Sequence, residues 1–284
     1  MKPRPFTYHA PTSVPEALEL LAEHSNDAKV LGGGQSLVPL LNFRMASPEH
    51  LVDINRLPEL DTVVRERGGW RIPALVRQRT AERSPELAAA FPLLPMALSQ
   101  VAHPQIRNRG TVCGSAAHAD PAAELPAVLT ALGATMHVAS TGGTRAISAD
   151  DFFIFHFTTA MRPDELLVGI GIDDLPPGTT TGFAELAARH GDFALAAVAG
   201  VVTRDDGGTV RACRLVAAGV AGRPFRLAET EATLLGNPLT HEALVAAQHA
   251  ARLEVDPPGD IHAPTAYRKQ LVGVLTRRVL SSMS

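Results

Sequence analysis

A run of three glycines follows directly on a short apolar stretch: residues 28–31 read Ala-Lys-Val-Leu, then come Gly32, Gly33 and Gly34, with Gln35 and Ser36 behind them. Residues without a Cβ reach backbone conformations closed to the others and let a ligand approach the main chain closely. A strand running into such a turn presents successive amide N–H groups in one concavity, a setting for a diphosphate, and Ser36 adds a hydroxyl donor. Glycine runs are also common punctuation, so the run by itself suits a plain tight turn at least as well.

A second segment has the same character. Arg109-Gly110-Thr111-Val112-Cys113-Gly114-Ser115 sets two hydroxyls around a glycine, and Asp120-Pro121-Ala122-Ala123-Glu124 follows. Glu124, one turn into a predicted helix, suits hydrogen bonds from sugar or ribityl hydroxyls; an ordinary first-turn acid, favoured by the helix dipole, is the competing reading. The familiar phosphate fingerprints are absent. The only lysines are Lys2, Lys29 and Lys269, none after a glycine loop, and Leu37 stands where G-x-G-x-x-G needs its last glycine.

The rest of the chain supplies strands and helices without a regular βαβ alternation. Ser13-Val14-Pro15-Glu16 predicts a helix start, with Ala17, Leu18, Leu20 and Leu21 at helical spacing behind it. Residues 28–31, 51–54, 135–139 and 166–172 read as strands, and residues 62–67 and 70–74 flank Gly68-Gly69 as a hairpin. Residues 35–44 fit a helix or irregular chain, with Pro39 arguing for a break; residues 81–101 read as helical around Pro92 and Pro95, and residues 121–132 as a helix with Pro121 in its first turn. Leu175-Pro176-Pro177-Gly178 marks a boundary. Beyond it lie a strand near Phe183, a long hairpin over residues 194–218 turning at Asp205-Asp206-Gly207-Gly208, and helices at 226–235, 241–253 and 265–280. Strands followed by helices predict an α+β fold in two units, residues 1–175 (subdivided near 55) and 178–284.

Composition removes several function classes. With 284 residues the chain can bury one large core or two moderate ones, and a net charge of −3 gives no reason to expect nucleic acid or an anionic membrane as partner. Two cysteines, Cys113 and Cys213, cannot hold a disulfide framework or a self-contained iron–sulfur or Cys-ligated zinc site, and they suit a reducing, cytoplasmic setting. No run approaches about 20 apolar residues, so no transmembrane segment or signal peptide is expected. None of the 11 histidines falls in a ligand spacing such as H-E-x-x-H, so the sequence predicts no metal site, and no G-x-S-x-G elbow supports a hydrolase.

Four stretches in register resemble the FAD-binding medium subunit of molybdenum hydroxylases, the xanthine and carbon monoxide dehydrogenase family. They are Gly32-Gly33-Gly34-Gln35-Ser36-Leu37-Val38-Pro39-Leu40-Leu41-Asn42-Phe43-Arg44, Gln105-Ile106-Arg107-Asn108-Arg109-Gly110-Thr111-Val112, Ala117-His118-Ala119-Asp120-Pro121-Ala122-Ala123-Glu124-Leu125-Pro126, and Gly191-Asp192-Phe193-Ala194. The resemblance implies a two-part FAD domain of the vanillyl-alcohol oxidase (PCMH) type and a smaller α+β C-terminal domain. It implies that Val30, Leu31, Gly32, Gly33, Gly34, Gln35, Ser36 and Leu37 hold the FAD diphosphate. Thr111, Val112, Cys113, Gly114 and Ser115 would form the second flavin loop, and Glu124 the acidic contact. Val101 and Leu167 match positions packed on the cofactor, and Phe193 either covers the flavin ring or packs in the core. The flavin itself carries the redox chemistry, so no side chain is expected to be catalytic.

The resemblance further implies a large molybdopterin subunit and a small [2Fe–2S] subunit, assembled as a dimer of heterotrimers. Electrons would pass from the clusters through FAD to an external acceptor. Two departures stand out: many relatives have glycine where this chain has Cys113, and some have a cofactor-contacting lysine near Ala184, a charge absent here. The cysteine-rich insertion of the benzoyl-CoA reductase branch is also missing. Arg107 and Arg109 either neutralise phosphate or face water, and His103 and His118 flank the second loop. A stand-alone flavin oxidoreductase and a flavin-free scaffold subunit are the alternative readings.

Overall fold

The computed structural model describes residues 1–284. Strand β1 (Thr7–His9) leads to helix α1 (Val14–His24), whose N-cap hydroxyl, Ser13 Oγ, accepts from the Glu16 amide at 3.3 Å. Pro15 in the first turn and the buried face of Ala17, Leu18 and Leu21 complete the start that the sequence signals. Strand β2 (Ala28–Leu31), helix α2 (Leu37–Asn42) and strand β3 (His50–Asp53) follow. Pro39 does not break α2: it stands in the first turn, where its missing N–H would have no intrahelical acceptor. The three strands form a parallel sheet in the order β1-β3-β2.

The next unit is built on an antiparallel sheet. Strands β4 (Val64–Glu66) and β5 (Gly69–Pro73) make the predicted hairpin. Residues 81–101, expected as helical around two prolines, divide instead into α3 (Gln78–Arg83), α4 (Pro85–Ala90) and α5 (Leu93–Leu98). Pro85 is the reason for one break: it cannot continue α3 but is preorganised to open α4, with Ser84 Oγ capping the Leu87 amide at 3.2 Å. Helices α6 (Pro104–Arg107), α7 (Val112–His118) and α8 (Glu124–Ala131) come next. Strands β6 (Thr135–Ser140) and β7 (Gly143–Ser148), helix α9 (Ala149–Phe152), the small hairpin β8 (Phe153–Phe155) with β9 (Thr158–Thr159), and β10 (Leu166–Asp173) complete the unit. The five-stranded sheet runs β4-β5-β10-β6-β7.

The C-terminal part is a four-stranded antiparallel sheet, β11 (Thr179–Ala187), β12 (Ala194–Arg204), β13 (Val210–Ala218) and β14 (Phe225–Arg226). Helices α10 (Ala228–Leu234), α11 (His241–Glu254) and α12 (Thr265–Met283) cover it. The period of two along β12 is visible in its packing. Ala197, Ala199 and Val201 join the 47-residue core of the preceding units, while Ala196, Val198 and Val202 join a separate core of 20 residues under the helices. The small side chains of this central strand let both layers approach it, which fixes β11 and its turn into β12 against the N-terminal part. The architecture is α+β, as the sequence predicts.

Candidate functional site

The two glycine segments are pressed together. A Cβ placed on Gly33 would lie 2.5 Å from the Arg109 carbonyl oxygen and 2.7 Å from the Gly110 Cα, so the first loop touches the backbone of the second and only glycine fits between them. Gly34 has φ +72°, the left-handed region. The carbonyls of the loop are occupied: Asn55 Nδ2 donates to Gly32 O at 2.8 Å and Gln35 Nε2 to Gly33 O at 3.0 Å. Its amides are not; none of the N–H groups of Gly32, Gly33, Gly34, Gln35, Ser36 and Leu37 meets a protein acceptor. Bound carbonyls and free, half-buried amides make an anion-binding concavity, the fit a diphosphate requires.

Two residues that sequence reasoning missed hold this arrangement. Arg77 donates from Nη1 to Arg109 O at 2.7 Å and from Nη2 to Asn55 Oδ1 at 2.6 Å, so one guanidinium ties the second loop to the residue that grips the first. Asn55 is held in turn by Asp53 Oδ1 at 2.6 Å, and Tyr8 donates to Asp53 Oδ2 at 2.6 Å. Burial alone would raise the Asp53 pKa; the hydrogen bonds from Tyr8 and Asn55, with Arg56 nearby, outweigh it and hold the carboxyl below its ordinary value. A cleft of about 500 Å³ opens beside this network, lined by Asn55, Arg56, Asp61, Arg77 and Thr80 among others. No sequence motif marks Asn55 or Arg77, because each works through backbone carbonyls far along the chain.

The second segment is less of a loop than its sequence suggests. Thr111 caps α7, its Oγ1 accepting from the Gly114 amide at 2.9 Å, so Val112, Cys113, Gly114 and Ser115 form the first turns of a helix. Its approach is clamped by Gln78 N to Gly110 O at 2.8 Å and Val112 N to Val76 O at 3.1 Å. The Cys113 side chain points away from the loop surface and does not narrow it. The side chain is buried, its Sγ 3.4 Å from the Ile72 carbonyl, and burial pushes the thiol pKa far up, so it is an inert core residue. Arg107 also differs from both expectations: it is buried, paired with Glu82 at 2.9 Å, and donates to the Val101 and Ala102 carbonyls at 2.7 and 3.2 Å. Its charge shapes the backbone at Val101, while Arg109 is the exposed member of the two.

The remaining candidates arrive from other elements. Glu124 is the first residue of α8, not one turn inside it, and is only 6% exposed. Burial chiefly, with the carboxyls of Glu185 and Asp120, pushes its pKa up to about 8, against the pull of its own backbone N–H and Arg107. Glu185, next to Ala184 on β11, is a third residue the sequence did not flag; burial raises it to about 7, and its Oε2 is buried without a partner. A buried acid with an open oxygen is an unmet hydrogen-bonding position. Leu167 is buried in β10 within the large core, and Val30 and Val101 are half-buried against it. Phe193 is not packed in the core: it is 61% exposed at the β11–β12 turn. Gly191 in that turn has φ +88°, and a Cβ there would meet His103 Cε1 at 2.8 Å, which places the turn against the chain just after Val101. His118 lies beside Phe157, with ring centroids 5.0 Å apart.

Two glycine segments locked backbone to backbone and a row of unpaired amides make an anion-binding site in an α+β frame. Residues 4–173 match the family described as the FAD binding domain in molybdopterin dehydrogenase, and residues 181–283 match the CO dehydrogenase flavoprotein C-terminal domain. The chain is similar to the 6-hydroxypseudooxynicotine dehydrogenase complex subunit alpha of Paenarthrobacter nicotinovorans, with 41% identity over 99% of this chain and 95% of that protein. It is similar to the carbon monoxide dehydrogenase medium chain of Hydrogenophaga pseudoflava, with 37% identity over 99% and 98%. A solved structure of carbon monoxide dehydrogenase from that organism, lacking the Mo-pyranopterin moiety, superposes with a TM-score of 0.96 at 38% identity over 100% of this chain and 98% of the other. The chain belongs to the family of FAD-binding medium subunits of molybdenum hydroxylases. It is an oxidoreductase subunit.

Proposed function

We propose that this chain binds FAD along the surface its two glycine segments share and passes electrons from partner-held [2Fe–2S] clusters to an external acceptor. The observation that carries the reading is the row of unpaired amides at residues 32–37, in a loop packed on a second backbone segment and tied to it through Asn55 and Arg77. Those amides, with the Ser36 hydroxyl, would hold the diphosphate; Thr111, the amide of Cys113, Gly114 and Ser115 would close the other side. Glu124, protonated at neutral pH, would donate to or accept from ribityl hydroxyls, with Glu185 beside it. The Val101 backbone and Leu167 would pack on the cofactor, and the exposed ring of Phe193 would cover the flavin. Bound FAD would supply reversible exchange of one or two electrons.

The partners in this reading are a large molybdopterin subunit and a small iron–sulfur subunit, as a dimer of heterotrimers in the cytoplasm. Support comes from relatives that are medium chains of dehydrogenase complexes. No helix here is long and apolar enough to cross a membrane. We place the boundary between units 1–175 and 178–284 at the Pro176-Pro177-Gly178 connector, where one sheet ends and the next begins. The test is the identity of the cofactor. Heat-released flavin from the purified protein, resolved by chromatography, should be FAD at one per chain. FMN, or no flavin after incubation with FAD, would overturn the proposal.

A further inference from the structure

His9, His24 and His50 meet in space although no ligand spacing joins them in sequence. His9 closes β1, His24 closes α1 and His50 opens β3, so three elements each send one imidazole to a single point. The register explains two of them. Thr7 pairs with His50 and His9 with Val52 in a parallel ladder, which sets His9 and His50 diagonally on one face of the sheet. Helix α1 ends there and delivers the third.

The geometry is close. His9 Nε2 lies 2.9 Å from His50 Nδ1, the His24 and His50 rings stack at 3.6 Å with 9° between planes, and one nitrogen from each residue falls within 4.8 Å of the others. Six ring nitrogens share a single hydrogen bond, and the Glu23 carboxylate stands 3.9 Å from His24. Three half-buried imidazoles with so few protein partners are poorly explained as a hydrogen-bonded cluster. A transition ion supplies such a partner: Zn–N bonds of about 2.0–2.1 Å put tetrahedral ligands roughly 3.4 Å apart, comparable with the nitrogen separations present, and binding would turn the stacked His24 and His50 rings out of their parallel planes to aim both lone pairs at one ion.

We propose that His9, His24 and His50 form a binding site for one divalent transition ion of the zinc class. Imidazole-only ligation suits Zn²⁺, Cu²⁺ or Ni²⁺ over hard cations such as Mg²⁺ and Ca²⁺. Three protein ligands leave a fourth position open to water or to Glu23. The ion would clip the end of α1 to the parallel sheet, a structural role. The site is separate from the glycine loops: His50 stands three residues, about 10 Å along β3, from Asp53, which orients Asn55.

The experiment titrates the chelator-treated full-length protein with Zn²⁺ by calorimetry and counts bound metal after desalting. One equivalent should bind, at least tenfold more weakly in His24→Ala and in His50→Gln than in wild type or in His249→Ala, outside the cluster. FAD content should be equal in all four. Substitution with Co²⁺ in the wild type should give d–d absorption of tetrahedral intensity to the red of the flavin bands, and Zn²⁺ should raise its melting temperature; these two readouts stand if a variant fails to fold. No stoichiometric binding, or affinity unchanged in both cluster variants, would overturn the proposal, whatever the outcome for FAD.

Discussion

At the scale of single residues, Gly33 carries the sharpest constraint. The sequence suggests that a side chain there would obstruct a ligand; the structure adds that it would first strike the Arg109 carbonyl and Gly110. Even Gly33→Ala should therefore push the two segments apart. We expect FAD affinity at least tenfold weaker and a stability loss of about 1–3 kcal/mol, the usual range for forced overpacking. Gly32→Ala is the control: its Cβ would meet only Thr111 Oγ1 at an ordinary 3.7 Å, so flavin content should change little. Equal flavin content in wild type and the Gly33 variant would contradict this. Glu124 makes a pH prediction. A carboxyl whose folded pKa exceeds its unfolded value favours the fold while protonated; that contribution is complete below 4.5 and is lost as pH rises through about 8. The apoprotein should lose stability across that window, by a few kcal/mol at most in order of magnitude. Glu124→Gln should flatten the slope and melt above wild type at pH 8, measured by thermal unfolding. A slope unchanged by the substitution would show that other groups set it.

Among elements, those with local signals are legible in the sequence and those fixed at a distance are not. The start of α1, the Gly68-Gly69 hairpin and the long β12–β13 hairpin follow from capping residues, turn glycines and strand alternation. The division of residues 81–101 into short helices was not, because a proline signals either a kink or a new start and packing decides which. Likewise α7 hides in a glycine-bearing stretch, since the signal that starts it is a hydrogen bond from Gly114 to the Thr111 cap. The element-level clamp is Arg77, which leads into α3, holds the second loop directly and reaches the first through Asn55. Arg77→Lys keeps the charge but replaces a two-ended fork with one point of contact. Hydrogen bonds to charged groups contribute roughly 1.5–3 kcal/mol each. Losing one should weaken FAD binding about tenfold with little change in secondary structure, as read by flavin titration and circular dichroism. An unchanged dissociation constant would remove Arg77 from the site.

For the whole molecule, the candidate site is legible in the sequence as segments and hardly at all as geometry. Residues 30–37, 109–115 and 124 were identified by type and order, yet their contact through Gly33, the cap on α7 and the burial of Glu124 depend on how distant elements pack. Glu185 and the Gly191 turn reach the N-terminal part because β12 is sandwiched between two cores. The molecule presents binding groups for a flavin nucleotide and neither thiolate ligands for a cluster nor an accessible nucleophilic thiol, both cysteines being buried. The central claim is that it works as one member of a larger assembly. The most direct test compares substrate-dependent dye reduction by the isolated, flavin-loaded chain with that of the chain co-expressed with its genomic neighbours, alongside molybdenum and iron analysis. Our account predicts turnover only in the co-expressed complex, with both metals present. Comparable turnover of an organic substrate by the lone, metal-free chain would contradict it.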